Sequence, residues 1–144
     1  MIKNYTSKSL NSINKIQEIL AKHKCTRIMF GYNDDGTIKD IQFGMLVDGK
    51  EIGYKLPCRV EKVAAVLYGV RYEGLNDTKR EQAYRTAWAN VRDWVDAQMA
   101  MIDTEQAEIA QIFLPYAVRG DGKTYFEVIK ENPYLLEGGN NVQK

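Results

Sequence analysis

The longest stretch of the chain without glycine or proline runs from Asp77 to Leu114, and it limits the available folds more than any other feature. At about 100° per residue, its apolar side chains fall into two neighbouring rows on one side of a helix. The first row consists of Tyr84, Trp88, Val91, Val95, Met99, Ile102, Ile109 and Phe113, and the second of Ala83, Ala87, Trp94, Met101 and Ile112. The period therefore predicts a long helix against which the other elements pack.

The length of this stretch indicates that the helix breaks. Unbroken, it would span roughly 57 Å, whereas a domain of this size has a radius of gyration of about 15 Å. No apolar residue continues the rows between Asp103 and Gln106, and Thr104 is a suitable N-cap for a new helix. We therefore predict one helix over 77–102 and a second over 104–114, which Pro115 ends.

The two rows together form an apolar arc wider than a surface helix needs. Two arrangements would cover it. In the preferred one, the chain's own elements cover the helix on two sides. In the other, the second row forms the seam of a homodimer, and Trp94 and Met101 are its candidate residues.

Before the long helix, the pattern indicates one helix and three strands. Apolar residues at helical spacing predict a helix over 7–22. Alternating apolar residues predict strands over 26–32, 37–47 and 50–56. The turns between the strands, at 33–36 and 48–49, each contain Asp-Gly, which suits tight hairpins and makes neighbouring strands antiparallel.

After the strands, a short helix over 60–68 and a loop over 69–76 lead into the long helix. Near the end, Thr124 is expected to cap a helix over 125–131 with Phe126 and Ile129 facing inward, and Leu135 and Leu136 are expected to dock. The predicted fold class is α+β: a three-stranded antiparallel β-meander with an N-terminal helix, a long Trp-containing helix and short C-terminal helices. We expect a single domain over 1–137 and a polar C-terminal tail over 138–144.

Composition excludes several classes of function. The formal net charge is +1, so a uniformly basic nucleic-acid binder is not indicated. No apolar run approaches the roughly 18 residues of a membrane span, and the N-terminus lacks the apolar core of a secretory signal. The expected location is therefore the cytoplasm. The two cysteines, Cys25 and Cys58, are too few for a disulfide framework, and we expect buried thiols.

Residues that could perform catalysis or bind metal are few. His23, Cys25 and Cys58 are the soft ligands of the chain, and their spacing matches no zinc motif. Asp93 and Asp96 lie one turn apart on the long helix, where a solvated face is the better interpretation than a catalytic pair. The sequence therefore predicts no catalytic residue, no metal site and no cofactor, and the protein is not expected to be an enzyme.

A binding surface is the remaining class, and its candidates are basic and aromatic. They are Lys22, Lys24, Arg27, Lys55, Arg59, Lys62 and Arg71, with Tyr32, Tyr54 and Tyr72 as surfaces for stacking. Aromatic side chains beside cations on a sheet are what binders of single-stranded nucleic acid use. The same cations would suit a phosphorylated small molecule or an acidic protein surface.

Several segments, in this order, resemble a family of small uncharacterised proteins of tailed phages and prophages. They are Ile16 to His23, Thr26-Arg27-Ile28 before an acidic-Gly turn, Leu56-Pro57, the Arg/Trp-rich stretch Tyr84 to Trp88 with Trp94 to Gln98, Phe113 to Tyr116, and Gly122-Lys123-Thr124. The resemblance covers about 7–130, and the 59–76 segment departs from it. It implies a phage or prophage origin and no defined catalytic residues.

With this resemblance, the expected function is that of a non-enzymatic phage accessory protein that acts by binding. Inhibition or sequestration of a host component, such as a defence protein, ranks first, and the partner is then a host protein in the host cytoplasm. The alternative is a DNA- or RNA-binding accessory protein of phage replication or recombination.

Overall fold

The computed structural model describes residues 7–137, with side chains from residue 10 onward; the first six residues and the predicted tail over 138–144 lie outside it. The chain forms α1 (Ser7–Lys22), β1 (Arg27–Tyr32), β2 (Ile38–Val47), β3 (Lys50–Pro57), α2 (Val60–Tyr68), α3 (Asp77–Asp103), α4 (Ile109–Phe113) and α5 (Tyr125–Glu131). Short 3-10 turns cover Tyr72–Gly74, Leu114–Tyr116 and Pro133–Leu136. The predicted α+β class and the order of the elements are confirmed.

The three strands form an antiparallel sheet in the order β1-β2-β3. Asp48 and Gly49 both adopt positive φ, 50° and 81°, as the tight turn between β2 and β3 requires. Val118 extends the sheet beyond β3, because its N–H donates to the carbonyl of Gly53 at 2.8 Å. The adjoining residue Ala117 forms an antiparallel bridge with Tyr54 of β3.

One face of the sheet is covered by helices and forms the core. Phe43 of β2 lies between Ile28 of β1 and Tyr54 of β3 in the strand register, and all three side chains point to this face. The core cluster joins these strands to Ile16 of α1 and Trp88 of α3, both 0 % exposed. Burial of this one face agrees with the period-2 pattern of the strands.

The second apolar row of α3 is covered by the same chain at Trp94 but not at Met101. The ring of Trp94 meets those of Phe113 and Tyr116 edge to face, with centroids 5.7 and 5.6 Å apart. Met101, further along this row, is 38 % exposed. The first of the two predicted arrangements therefore holds at Trp94, and a homodimer that uses Trp94 and Met101 stays a prediction.

The break after α3 lies where it was predicted, but the role of Thr104 was predicted wrongly. Thr104 ends α3: its N–H donates to the Ala100 carbonyl at 3.1 Å, and its hydroxyl donates to the same carbonyl at 2.9 Å. The next helix begins only at Ile109, because Glu108 is the residue that forms a capping box with Gln111. The Thr104 hydroxyl also accepts from the side chain of Gln106 at 2.9 Å, so its contacts belong to the turn that ends α3 and not to the start of a new helix.

The C-terminal segment packs less tightly than predicted. Thr124 caps α5 through a capping box with Glu127, as expected. Phe126, however, is 49 % exposed, and Leu135 and Leu136 are 53 % and 72 % exposed, so the predictions that they face inward or dock are wrong. The reason is that α5 packs mainly on the short segments 114–116 and 133–136, and none of its residues is buried.

No helix within residues 7–137 combines the length and the apolar character needed to cross a membrane.

Candidate binding groove

A groove of about 1170 Å³ lies between α2, the N-terminal half of α3, the end of β3, the 114–116 segment and α5. Its apolar lining comes from Cys58, Val63, Ala87, Val91, Tyr116 and Phe126. The volume is somewhat above the roughly 300–1,000 Å³ typical of small-molecule pockets.

Two hydrogen bonds hold the floor of the groove together. The hydroxyl of Tyr84 accepts from the backbone N–H of Ile38 at 3.1 Å and so ties α3 to the start of β2. The N–H of Cys58 donates to the Lys39 carbonyl at 2.9 Å and ties the β3–α2 junction to β2. Tyr84 is 3 % exposed, and burial raises its pKa to about 12, so the phenol stays protonated.

Cys58 is buried beneath the groove and is a poor nucleophile. Burial, with a smaller contribution from the charge of Glu61, raises the pKa of its thiol to about 12. The thiolate is the reactive form of cysteine, so at neutral pH this side chain stays a neutral thiol. Burial also raises the pKa of Cys25, and both cysteines are free. The expectation of buried thiols is confirmed for Cys58, whereas Cys25 is only partly buried.

Arg80 fixes the loop at one end of the groove. Its guanidinium donates to the carbonyls of Tyr72 and Glu73, at 3.2 and 2.6 Å, and lies over the Tyr72 ring, 5.3 Å from the ring centroid. The half-buried ring of Tyr72, a predicted stacking surface, therefore already contacts a cation of its own chain.

Three of the five carboxylates that line the groove have structural partners. Asp35 accepts from the N–H and the hydroxyl of Thr37, at 2.9 and 2.6 Å. Asp40 is 3 % exposed, lies against Gly31 and accepts from the side chain of Gln42 at 3.3 Å.

The third engaged carboxylate is Glu127, which accepts from the N–H and the hydroxyl of Thr124. These bonds, with smaller contributions from the charges of Lys55 and Lys123, lower its pKa. The remaining two carboxylates, Glu61 and Glu73, make no side-chain hydrogen bond or ion pair with residues 10–137.

Among the five cations that line the groove, only one has a structural partner among the described residues. Arg80 is engaged as described. The other four make no side-chain hydrogen bond or ion pair within the described part of the chain; they are Lys39, Lys55, Arg59 and Lys62. We call these four side chains the free cations of the groove. They come from β2, β3 and the N-terminal end of α2, so the tertiary fold brings them to one surface.

The predicted basic residues do not form one patch. Arg59 lies at the groove, whereas Lys22 and Lys24 flank His23, whose ring bonds Asp103 at the far end of α3. From Tyr84 in the groove to Asp103 the helix axis covers about 28 Å. The basic residues of the N-terminal part and those of the 55–62 segment are therefore separate sites.

Other predicted site residues have different surroundings. Tyr54 is 2 % exposed and packs on Phe43 and Phe113, with ring centroids 5.5 and 5.7 Å apart, so its prediction as a stacking surface is wrong. It faces the core because it pairs with Phe43 on the covered side of the sheet. Arg27 is exposed and forms an ion pair with Glu51 at 3.0 Å.

Tyr32 and Arg71 remain exposed, and neither lines the groove.

His23 acts as a clamp between α1 and α3. Its Nδ1 lies 2.7 Å from the Ile19 carbonyl, and its Nε2 lies 2.9 Å from Asp103 Oδ1. Partial burial opposes the charged ring, but the bonds to Ile19 and Asp103 outweigh it and raise the pKa of His23. Because both neighbours are acceptors, the imidazolium form satisfies both ring nitrogens. Its contacts indicate a structural role.

Sequence reasoning missed several groove residues. Lys39 and Phe126 had no assigned role in binding, and Phe126 adjoins a group of exposed apolar side chains on α5 and the following turn. We call this group the outer apolar cluster; it consists of Tyr125, Phe126, Tyr134, Leu135 and Leu136. The signal in the sequence was the density of large apolar residues in so short a segment. No group of three metal-binding side chains is found among the described residues.

Comparison with other proteins adds no assignment: no family model matches the chain, and neither the curated proteins nor the solved structures yield a match.

Proposed function

We propose that this protein is a non-enzymatic accessory protein of a tailed phage or prophage, and that it acts by binding a host protein. In this proposal it inhibits or sequesters that protein, and a component of host defence is the first candidate. The phage origin rests on the resemblance described above. The binding role rests on the groove and the cluster beside it.

The observation that carries the proposal is the position of the outer apolar cluster. Phe126 lines the groove, whose other side chains carry charges of both signs, and the four other exposed apolar side chains lie within ten residues of it in the chain. Protein interfaces commonly combine a core of aromatic and aliphatic side chains with a polar rim. Exposed apolar groups of this number on one short segment are unusual for a surface that contacts only water.

A groove devoted to enzymatic chemistry is less well supported. Its thiol, Cys58, is neutral, its phenol, Tyr84, holds the backbone of β2, and three of its carboxylates accept hydrogen bonds within a turn, a strand or a helix cap. General acid–base or nucleophilic catalysis needs groups whose protonation state suits the reaction and that face the substrate. These groups instead have structural partners, which argues against catalysis in the groove.

The second candidate function is binding of DNA or RNA by an accessory protein of phage replication or recombination. The four free cations of the groove and the exposed ring of Phe126 favour it, because the cations can bind phosphates and the ring can stack on a base. The free carboxylates of Glu61 and Glu73 in the same groove oppose it.

Affinity capture tests the proposal. The tagged protein is incubated with a bacterial host lysate, with and without nuclease, at low and high salt. We expect one host protein in stoichiometric amount that survives nuclease treatment. The double variant Phe126→Ser/Leu136→Ser should lose this protein because it removes two side chains of the outer apolar cluster.

Leu46→Ser is the matched control, since Leu46 is 59 % exposed but lies on β2, on the side of the sheet opposite the core. It should capture the same host protein as the unmodified chain. Recovery of nucleic acid that disappears at high salt, with no host protein, would overturn the proposal and support the second candidate.

A further inference from the structure

We infer that this protein forms a symmetric homodimer in which the β1 strands of two copies pair antiparallel, so that two three-stranded sheets join into one sheet of six strands. The surface involved is the outer edge of β1, whose residues do not line the groove. The inference therefore concerns a different surface from the proposed function and does not depend on it. It follows from an open strand edge whose sequence is complementary to itself.

The two edges of the sheet differ in how they are covered. At the edge of β3, Ala117 forms a bridge with Tyr54, and the Val118 N–H donates to the Gly53 carbonyl. At the edge of β1, no hydrogen bond within the described part of the chain joins the backbone of Arg27–Tyr32 to a group outside the sheet. Every second residue of an antiparallel edge strand points its N–H and C=O away from the neighbouring strand. These groups of β1 are therefore available to another strand.

The sequence of β1 lacks the features that usually prevent an edge strand from pairing. Such strands commonly contain proline, several charged residues or a bulge. β1 reads Arg-Ile-Met-Phe-Gly-Tyr, with no proline and with one charge, at its first residue. The register with β2 does shift between Gly31 and Tyr32, but the extra residue there, Lys39, belongs to β2. The edge is therefore regular enough to accept a further strand.

A two-fold axis at Met29 gives the register of the dimer. Ile28 and Phe30 point to the core face of the sheet and are only partly buried, whereas Met29 points to the other face and is 50 % exposed. Pairing Met29 with its own copy keeps the core faces of both sheets on the same side. It places Ile28 opposite Phe30 of the other copy, and Arg27 opposite Gly31, which has no side chain. Apolar cross-strand pairs of this kind stabilise a sheet.

The charges just beyond the two ends of β1 are complementary in the same register. Lys24 and Asp34 each lie five residues from Met29, on opposite sides in the sequence. Antiparallel pairing about Met29 therefore brings Lys24 of one copy near Asp34 of the other, and the symmetry repeats this contact. Both side chains are exposed, and neither makes a hydrogen bond or ion pair with the described residues. Between residues 22 and 36, no two like charges oppose each other. An isologous interface must be complementary to itself in this way, which favours a second copy as the partner.

Sedimentation velocity over a range of concentrations tests the inference. From about 5 µM to about 500 µM, we expect the unmodified protein to change reversibly from monomer to dimer. Met29→Lys places two cations side by side at the two-fold axis and should raise the dimer Kd at least about tenfold. Leu46→Lys is the matched control, because Leu46 is 59 % exposed on the same face but lies on the central strand β2. It should change the Kd less than about threefold.

A charge exchange tests the register. Lys24→Asp and Asp34→Lys each oppose like charges when the variant pairs with itself, so each alone should dimerise more weakly than the unmodified protein. A mixture of the two variants restores opposite charges at both contacts. With one variant labelled, fluorescence anisotropy should show that the mixed dimer is at least about threefold tighter than either variant alone.

Cysteine cross-linking locates the two-fold axis. Directly opposed residues of antiparallel strands have Cα atoms roughly 4.5–5.5 Å apart, which is within the range of a disulfide. Met29→Cys should therefore give a covalent dimer under mild oxidation. Leu46→Cys contains the same natural Cys25 and Cys58 and should stay monomeric on a non-reducing gel.

Any of three results would overturn the inference: a monomer at every concentration, equal weakening of the dimer by Met29→Lys and Leu46→Lys, or no gain in affinity on mixing the charge-exchange variants. The seam predicted on α3 is distinguished by Met101→Lys, since Met101 is 38 % exposed on that helix. If Met101→Lys prevented dimer formation while Met29→Lys did not, the dimer would use α3 and the inference would be wrong.

Discussion

The protein contains two groups of large apolar side chains with opposite surroundings: one is an inner cluster of aromatic rings, and the other is the outer apolar cluster. In the inner one, Phe113 lies 5.5 Å from Phe43 and 5.7 Å from both Tyr54 and Trp94, as measured between ring centroids. In the outer apolar cluster, every side chain is between 43 % and 72 % exposed. Only a dozen residues separate Phe113 from the start of the outer cluster. Apolar character alone therefore does not determine burial, and the outer cluster is available for a partner.

The largest expected effect contrasts one phenylalanine from each cluster. Phe113→Ala should lower the free energy of unfolding by about 3–5 kcal/mol, because it removes a fully buried ring and leaves a cavity among three aromatic neighbours. Phe126→Ala should change it by less than about 0.5 kcal/mol, since this ring is half exposed. Urea denaturation followed by circular dichroism measures both. Similar losses of unfolding free energy in the two variants would show that the outer ring is as important for stability as the inner one.

A smaller effect is expected where the outer cluster is attached. Thr124→Ala removes the hydroxyl that accepts from the Glu127 N–H at 3.2 Å and should cost about 1 kcal/mol. Since α5 rests on short segments, we expect the loss to be local: amide hydrogen exchange should accelerate in α5 and stay unchanged around Trp88 in α3.

Thr78→Ala is the control for the Thr124 variant, because Asn76, not Thr78, caps α3 through a 2.9 Å bond from the Lys79 N–H. Its exchange rates should match those of the unmodified protein. If Thr124→Ala accelerated exchange in α3 as much as in α5, the outer cluster would be part of the cooperative core.

The smallest expected effect on the free energy of unfolding comes from the contact between His23 and Asp103. The pKa of His23 is raised above its ordinary 6.5, so the stabilisation is complete below pH 6.5 and is lost as the pH rises through the raised value. Asp103 is 60 % exposed, so the loss should be about 0.5 kcal/mol. Urea denaturation at a series of pH values measures it.

Asp103→Asn should flatten this pH dependence by removing the charge that favours the imidazolium. The chain has one histidine, so a transition in this range is readily assigned. A stability that rises with pH between 6 and 8 would contradict the clamp.

Much of the fold was predictable because it depends on local patterns. Each of these patterns spans only a few residues and places one element in the chain: the alternation of β2, the Asp48-Gly49 turn and the period of α3. The role of Thr104 was not predictable in this way, because a threonine hydroxyl can cap either end of a helix. The choice depended on Glu108, four residues further along, which provided a better start.

The candidate site was predictable only in part. Arg59 and Lys55 were identified as basic residues of a binding surface, but their separation from Lys22 and Lys24 follows from the length of α3 and the packing of α1 at its far end. Tyr54 was assigned to a binding surface although it faces the core. Whether an exposed-looking strand residue meets solvent depends on which face of the sheet the helices cover.

The sequence by itself determined the elements, their order, the antiparallel meander and the apolar rows of the long helix, because these follow from spacing over a few residues. The tertiary structure decided which cations and carboxylates share the groove and which of them remain without a partner. It also decided that Phe113 is enclosed while Phe126 is half exposed. These outcomes depend on contacts between residues far apart in the chain, and such contacts have no local signature.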